Sequence, residues 1–322
     1  MKPFMLRHIP RLIAALAFGI ASAHAQDAWP TRTVQIVVPF PAGGLIDVVA
    51  RAIADHMRET LGKSVVVVNR DGGGGSIGVN AVATATPDGH TLGLVTSAAL
   101  TVLPLARKGI PYSLESVRSL CQVGGVPLVL AVAPQAQARI GSLAGFIAAA
   151  RAAPGKLNVG FVGEGTLTHL ALADFAAKAG IQLTLVPYRG DPPMALALRG
   201  GEIDAAILTL GMTVSQNFAA AVSFSAQRHP DLPQTPTAAE NGIDVVVEPA
   251  IAMIAPGGLP DTIQRAAEKA CLAALKSPRV EQALKTGRLH TVSAGSQGLD
   301  TVLRNEARLS EVMLRRLDLM QK

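Results

Sequence analysis

The clearest pattern of apolar and polar positions runs from Val34 to Leu61. Val34, Ile36, Val37 and Val38 form a near-continuous β-branched run, which predicts a strand buried on both faces in a parallel sheet. Ile46, Val49, Ile53 and Met57 then recur at helical spacing, with Asp47, Arg51, Asp55 and Arg58 on the remaining faces. Between strand and helix, Pro39-Phe40-Pro41 leads into Ala42-Gly43-Gly44, bare backbone at the carboxyl end of a strand. Free N–H groups and the helix dipole favour an anion at such a turn.

The same alternation continues downstream. Val65 to Val68 reads as a second buried strand, Asn69 to Gly75 as a backbone-rich loop, and Ser76 as the cap of a helix through Ala83. Pro87-Asp88-Gly89 turns the chain into a third strand, Thr91 to Val95. Strand, helix, strand, helix, strand is the beginning of a doubly wound α/β fold, in which ligands bind beyond the carboxyl ends of strands. The loops at Phe40, Gly72 and Thr96-Ser97 should therefore converge. A second unit opens with the apolar run Val126 to Val132 and a helix from Ser142 to Ala153. Val159 to Val162 then enters Gly163-Glu164-Gly165-Thr166-Leu167-Thr168-His169, again a strand, a glycine turn and a helix. Strands at Leu183 to Val186 and Ile203 to Leu208 follow, the first running into Pro187-Tyr188-Arg189-Gly190. A short strand at Ala250 to Ala255 precedes a remainder that reads as helical. The expected architecture is α/β with two lobes and a cleft between them. Residues 26–125 with 248–322 form the first lobe and residues 126–247 the second.

Composition narrows the class. With 322 residues, 49% hydrophobic and 16% charged, the chain can bury a large core. Residues 1–25 read as a secretory signal: Lys2, Arg7 and Arg11, an apolar core from Leu12 to Ala21, and the small-x-small site Ala23-His24-Ala25. Cleavage after Ala25 and export to the periplasm are expected. The formal charge is +6, but removing the leader's three basic residues from 29 leaves 26 against 23 acidic ones. Aromatics are only 3%, and no basic run is interleaved with them, so nucleic acid is not an expected partner. Cys121 and Cys271 stand 150 positions apart, which resembles no disulfide framework; two buried, unreactive thiols are the favoured expectation over one bridge.

Two motifs point to other chemistry and lack its context. Gly73-Gly74-Gly75-Ser76-Ile77-Gly78 matches a dinucleotide fingerprint, but the following strand offers no acidic residue for a ribose. Gly74-Gly75-Ser76-Ile77-Gly78 also fits a hydrolase elbow, which requires the serine directly after a strand; Ser76 lies well past Val68. A secreted serine hydrolase using Ser76 remains the enzyme alternative. No metal-ligand spacing occurs, and no cofactor is expected. Thr166, Thr168 and His169 at a helix start suit an anion, whereas Glu164 would repel one unless it faces solvent, a ligand amine or Arg189.

At these residues the sequence resembles the Bug family of extracytoplasmic solute receptors, the binding proteins of tripartite tricarboxylate transporters. The likeness runs through Val38-Pro39-Phe40-Pro41-Ala42-Gly43-Gly44 with Asp47, Val67-Val68-Asn69-Arg70, Gly74 to Gly78 and Pro87 to Leu92. It continues through Gly165 to Leu170, Val186 to Gly190, Gly200 to Asp204 and Pro233 to Glu240. The resemblance implies a type II periplasmic-binding-protein fold: a monomeric, non-enzymatic receptor that closes by hinge motion around a small carboxylate and delivers it to inner-membrane permease subunits. A ligand sensor for a signalling partner is the alternative partner reading. In the first lobe the implied ligand set is Phe40, Ala42, Gly43, Gly44, Asp47, Gly75, Ser76, Thr96 and Ser97. In the second it is Gly163, Glu164, Gly165, Thr166, Thr168, His169, Tyr188, Arg189 and Thr209. The chain departs from the family pattern at Asp71, usually proline, at His90, usually tyrosine, and at Glu164, usually small. It also departs across Ile207 to Val222 and at Ile251-Ala252-Met253, which leaves the ligand open.

Overall fold

Backbone pairing decides which of these segments meet. The computed structural model describes residues 29–320, so the predicted export leader lies outside the described residues. The first third holds β1 (Val34–Val38), α1 (Leu45–Leu61), β2 (Val65–Asn69), α2 (Ser76–Ala83), β3 (Thr91–Thr96) and the short helices α3 (Ala98–Thr101) and α4 (Leu103–Ala106). The middle holds β4 (Val117–Gly125), β5 (Leu128–Val132), α5 (Gln137–Ile140), α6 (Leu143–Ala152), β6 (Asn158–Val162), α7 (Leu167–Ala179) and β7 (Thr184–Tyr188). Then come α8 (Asp191–Gly200), β8 (Ala205–Thr209), α9 (Leu210–Ser215), β9 (Ala219–Ser223) and β10 (Ala250–Pro256). The chain finishes with α10 (Asp261–Leu275), α11 (Pro278–Thr286), β11 (His290–Gly295) and α12 (Ser296–Arg316).

Two sheets result. One has the order β11-β4-β10-β3-β1-β2, the other β7-β6-β8-β5-β9. β1 runs parallel to β2 and β3, and β6 parallel to β7 and β8, so their carboxyl ends emerge together. β10 returns antiparallel between β3 and β4, and β5 antiparallel between β8 and β9. The chain passes from one sheet to the other between β4 and β5 and again between β9 and β10. The two crossings touch, Val126 N donating to Pro249 O at 2.9 Å.

The apolar patterns explain the layers. In β1, Val34, Ile36, Val37 and Val38 are all buried, as a strand covered on both faces requires. In α1, Val49, Ala50, Ile53 and Met57 are fully buried and the helix stops at Gly62, whose φ of 64° is left-handed. Each such aliphatic side chain contributes about 1.5–3 kcal/mol when buried. No helix among the described residues is long and apolar enough to cross a membrane.

Four expectations are corrected. Strand β4, second from the edge of its sheet, precedes the apolar run and is separated from β5 by Val126 and Pro127. Its buried Ser119 and Gln122 break the apolar periodicity, and Pro127 has no N–H to continue a ladder. The tail is not wholly helical, because β11 pairs with β4 at the sheet edge although its exposed residues carry no apolar pattern. Ser76 is the first residue of α2 and caps nothing; Gly75 occupies the cap position. Cys121 in β4 and Cys271 in α10 are buried as expected, but they are bonded to each other, with Cα atoms 6.4 Å apart. Sequence separation says nothing about proximity once α10 packs over β4.

One network sets the turn after β1. Asp47, placed by periodicity on a polar face, is only 2% exposed. Its carboxylate accepts from Gly43 N at 2.9 Å, from Arg51 Nε at 3.0 Å and Nη2 at 2.9 Å, and from Asn69 Nδ2 at 2.9 Å. Asn69 Nδ2 also donates to Phe40 O at 3.0 Å, so α1 and the end of β2 clamp both sides of the turn. Burial alone would raise the Asp47 pKa, but the bonds from Arg51, Gly43 and Asn69 outweigh it and hold the carboxyl below its usual range.

Two measurements check this account. Because the folded-state pKa of Asp47 lies below the unfolded value, its contribution is present at neutral pH and is lost as the pH falls below about 4. Asp47→Asn should cost about 1.5–3 kcal/mol in denaturant unfolding at pH 7 and flatten the loss of stability toward pH 3. Replacing both cysteines with alanine should cost about 2–5 kcal/mol, and a reductant should lower the denaturation midpoint of the wild type but not of that variant.

Candidate functional site

The carboxyl ends of the parallel strands in both sheets open on one cavity of about 90 Å³, at the level where the chain crosses between the sheets. Phe40, Pro41, Gly44, Leu45, Ile46, Gly74, Thr96 and Ala98 line it from one side. Val162, Thr166, Leu167, Thr168, Gly190, Asp191, Pro192 and Thr209 line it from the other, with Val126, Leu128 and Pro249 from the crossings between them.

Two helix starts face this space. At α1 the cap is Gly44, which offers no side-chain bond, so the first-turn N–H groups of Leu45 and Ile46 have no intrahelical acceptor. At α7 the cap is Thr166. Its hydroxyl takes the His169 N–H at 3.4 Å, donates to Val162 O at 2.5 Å and lies 2.9 Å from the Thr168 hydroxyl. Leu167 and Thr168 hold the equivalent free N–H positions. Each helix brings roughly half a positive charge to its start, and α1 and α7 are long enough, 17 and 13 residues, to carry it.

Bare backbone lets the two sides meet. A Cβ on Gly74 would fall 2.7 Å from Thr166 Cγ2, and one on Gly163 would fall 3.1 Å from Gly74 Cα. Both glycines hold left-handed φ, 70° and 68°, which side chains rarely adopt. The glycine loops of the two units are therefore in direct contact at the cavity rim.

Of the expected ligand set, Phe40, Gly44, Thr96, Thr166, Thr168 and Thr209 line the cavity. The others stand around it. Ala42 and Gly43 are exposed on the turn's outer side, and Asp47 lies behind the turn. Gly75 packs against Ala99 and Pro39, with Ser76 beyond it on α2; no hydrogen bond links Ser76 to a histidine among the described residues. Ser97 is fully buried and accepts from Ala250 N at 2.9 Å, tying β3 to β10. His169 Nδ1 accepts from Gly165 N at 3.2 Å and its ring stacks on Phe161 at 5.0 Å. Burial lowers the His169 pKa against the opposing pull of Glu164, so a neutral imidazole braces the turn from Gly163. Glu164 itself is exposed, and Arg189, 77% exposed, lies 3.8 Å from Asp71 instead. Tyr188 ends β7 half-buried outside the lining.

Sequence reasoning stopped one residue short at Gly190. Asp191 opens α8, where an acid looks like an ordinary partner for the helix dipole. Its Oδ2 accepts from Thr209 N at 3.0 Å and from Thr209 Oγ1 at 2.6 Å. Burial pushes its carboxyl up in pKa, with the Thr209 bonds pulling the other way. The available signal was positional: a glycine turn followed by Asp191-Pro192 at the end of a parallel strand.

Comparisons with known proteins agree with this geometry. The model of the tripartite tricarboxylate transporter family receptor matches residues 49–319. A UPF0065 protein of Bordetella pertussis is 32% identical over 325 residues, covering 99% of each chain. The structure of the periplasmic binding protein BugD superposes with a TM-score of 0.84 at 27% identity, over 91% of this chain and 100% of that one. MatC of Rhodopseudomonas palustris, solved with bound malate, gives 0.83 at 26% identity, over 89% and 100%. The two-sheet α/β architecture is that of the periplasmic binding proteins, and the chain belongs to the tripartite tricarboxylate transporter receptor family.

Proposed function

We propose that the protein is a periplasmic receptor that closes around a small organic carboxylate and delivers it to a membrane permease, acting by binding alone. The observation that carries this is the pair of uncommitted helix starts, at Gly44 and Thr166, on opposite sides of one cavity. Among the described residues no lysine, arginine or histidine lines that cavity, so a carboxylate is met by backbone N–H groups. Apolar walls from Phe40, Leu45, Val162 and Leu167 suit the carbon skeleton between or beyond the charged ends.

The proposed lobes are residues 26–125 with 248–322, and residues 126–247. Both chain crossings, at Val126-Pro127 and near Pro249, fall at these boundaries, and two touching connecting segments there support a hinge. Malate bound by MatC supports a small acid as the ligand class, and the family supports delivery to a permease.

A thermal-shift screen of mono- and dicarboxylates and amino acids, malate included, tests the reading. A ligand at ~100 times its dissociation constant should stabilise the protein by about 2.7 kcal/mol; silence from every acid would end it. A second check uses Gly44, whose φ of −74° accepts a side chain and whose added Cβ would sit 3.3 Å from Pro41 O and 3.8 Å from Pro192 across the rim. Gly44→Val should lower the unliganded midpoint slightly, as the Pro41 carbonyl shifts, and weaken the bound acid by about tenfold or more, since 1.4 kcal/mol of lost backbone contact is a factor of ten. Unchanged affinity in a titration would remove this turn from the site.

A further inference from the structure

Among the described residues Asp191 is the only ionisable side chain lining the cavity, and the cavity's other polar groups leave it half satisfied. Oδ2 takes both bonds from Thr209, whereas Oδ1 has no hydrogen-bond partner among the described residues. No ion pair joins Asp191 to a lysine, arginine or histidine among the described residues. The nearest cation along the chain, Arg189, turns outward to Asp71. The hydroxyls of Thr166 and Thr168 are bonded to each other and to backbone, and offer Asp191 nothing.

A carboxylate facing an apolar space is costly unless a positive partner arrives. The same cavity presents free N–H groups at two helix starts, which ask for a negative partner. A ligand with a carboxylate alone would answer the helix starts and leave Asp191 unpaired. A ligand carrying both charges answers both. A hydroxyl could bond to Oδ1, but it brings no charge to balance the carboxylate.

Resting on the receptor reading above, we propose that Asp191 sets ligand choice: the acid bound here carries an ammonium group that pairs with Asp191 Oδ1, while its own carboxylate meets the α1 and α7 starts. The ligand class is a zwitterionic amino acid with an apolar body. Burial raises the Asp191 pKa, and an ammonium at Oδ1 would lower it again by favouring the ionised form. Asp191 is a specificity residue, and Thr209, bonded to Oδ2, holds its carboxylate in place.

Calorimetric titration of the mature chain tests the proposal. The panel is alanine, valine, leucine, phenylalanine, 3-aminopropanoate and 4-aminobutanoate. Each is paired with the same acid bearing a hydroxyl, or a hydrogen, in place of the amine. In the wild type at least one amino acid should bind ~10-fold or more tightly than both of its counterparts. Asp191→Asn keeps an oxygen for Thr209 and turns an NH2 toward the cavity. It should weaken that amino acid ~30-fold or more while changing the hydrogen counterpart less than ~3-fold. Counterparts that bind as tightly as the amino acids would overturn the proposal and leave the receptor reading standing. Equal weakening of all ligands by Asp191→Asn would also overturn it, since that marks a merely structural role. Silence from every acid, with and without an amine, would sink both. The wild-type comparison decides the matter even where the variant folds poorly.

Discussion

The turn between β1 and α1 exists in its observed shape because one buried carboxylate holds it. Asp47 gathers donors from the turn itself at Gly43, from its own helix at Arg51 and from the neighbouring strand at Asn69. Burying an acid without such donors would cost several kcal/mol, so the bonds and the burial depend on each other. With them in place, the backbone of Phe40 to Gly44 is anchored at both ends and the start of α1 points into the cavity. In the second unit Thr166, bonded back to Val162 and Gly163, holds the α7 start in the same way with a hydroxyl.

The two units meet through backbone. A side chain on Gly163 would crowd Gly74 and one on Gly74 would clash with Thr166, and this close approach brings the α7 start beside the first unit's loops. A cavity built from backbone donors and apolar walls holds charge through dipoles, each worth roughly 0.3–1 kcal/mol at a helix end and up to about 2 where partly buried. That magnitude suits a site that must release what it binds, and it leaves discrimination to the few polar side chains that reach the interior. Asp191 and its partner Thr209 are those side chains on the second unit's wall.

Much of this was readable before any tertiary contact was known. β-Branched runs located β1 and β2 closely; β1 is covered on both faces, whereas the expected burial of β2 fails because it is the sheet edge and leaves Val66 exposed. Left-handed and close-approach positions demand glycine, so Gly43-Gly44 and Gly163 to Gly165 marked the strand-to-helix turns. Segments whose order comes from pairing carried no such mark. β11 is exposed and polar, and only its ladder to β4 makes it a strand. Ser97 stood at a strand end, as ligand residues do, yet its hydroxyl accepts from Ala250 N and bonds to the Glu306 carboxyl.

Local pattern by itself determined the alternating α/β elements, the glycine turns and the family resemblance, because each follows from a residue's own backbone freedom or from which of its faces is buried. Tertiary structure decided what stands opposite each face. It paired Cys121 with Cys271 across 150 positions, turned Glu164 outward, sent Arg189 to Asp71, and placed Asp191 in the cavity with one oxygen unclaimed. Periodicity tells which way a side chain points, but its partner comes from a distant segment, and only the packing of the two sheets brings that segment near.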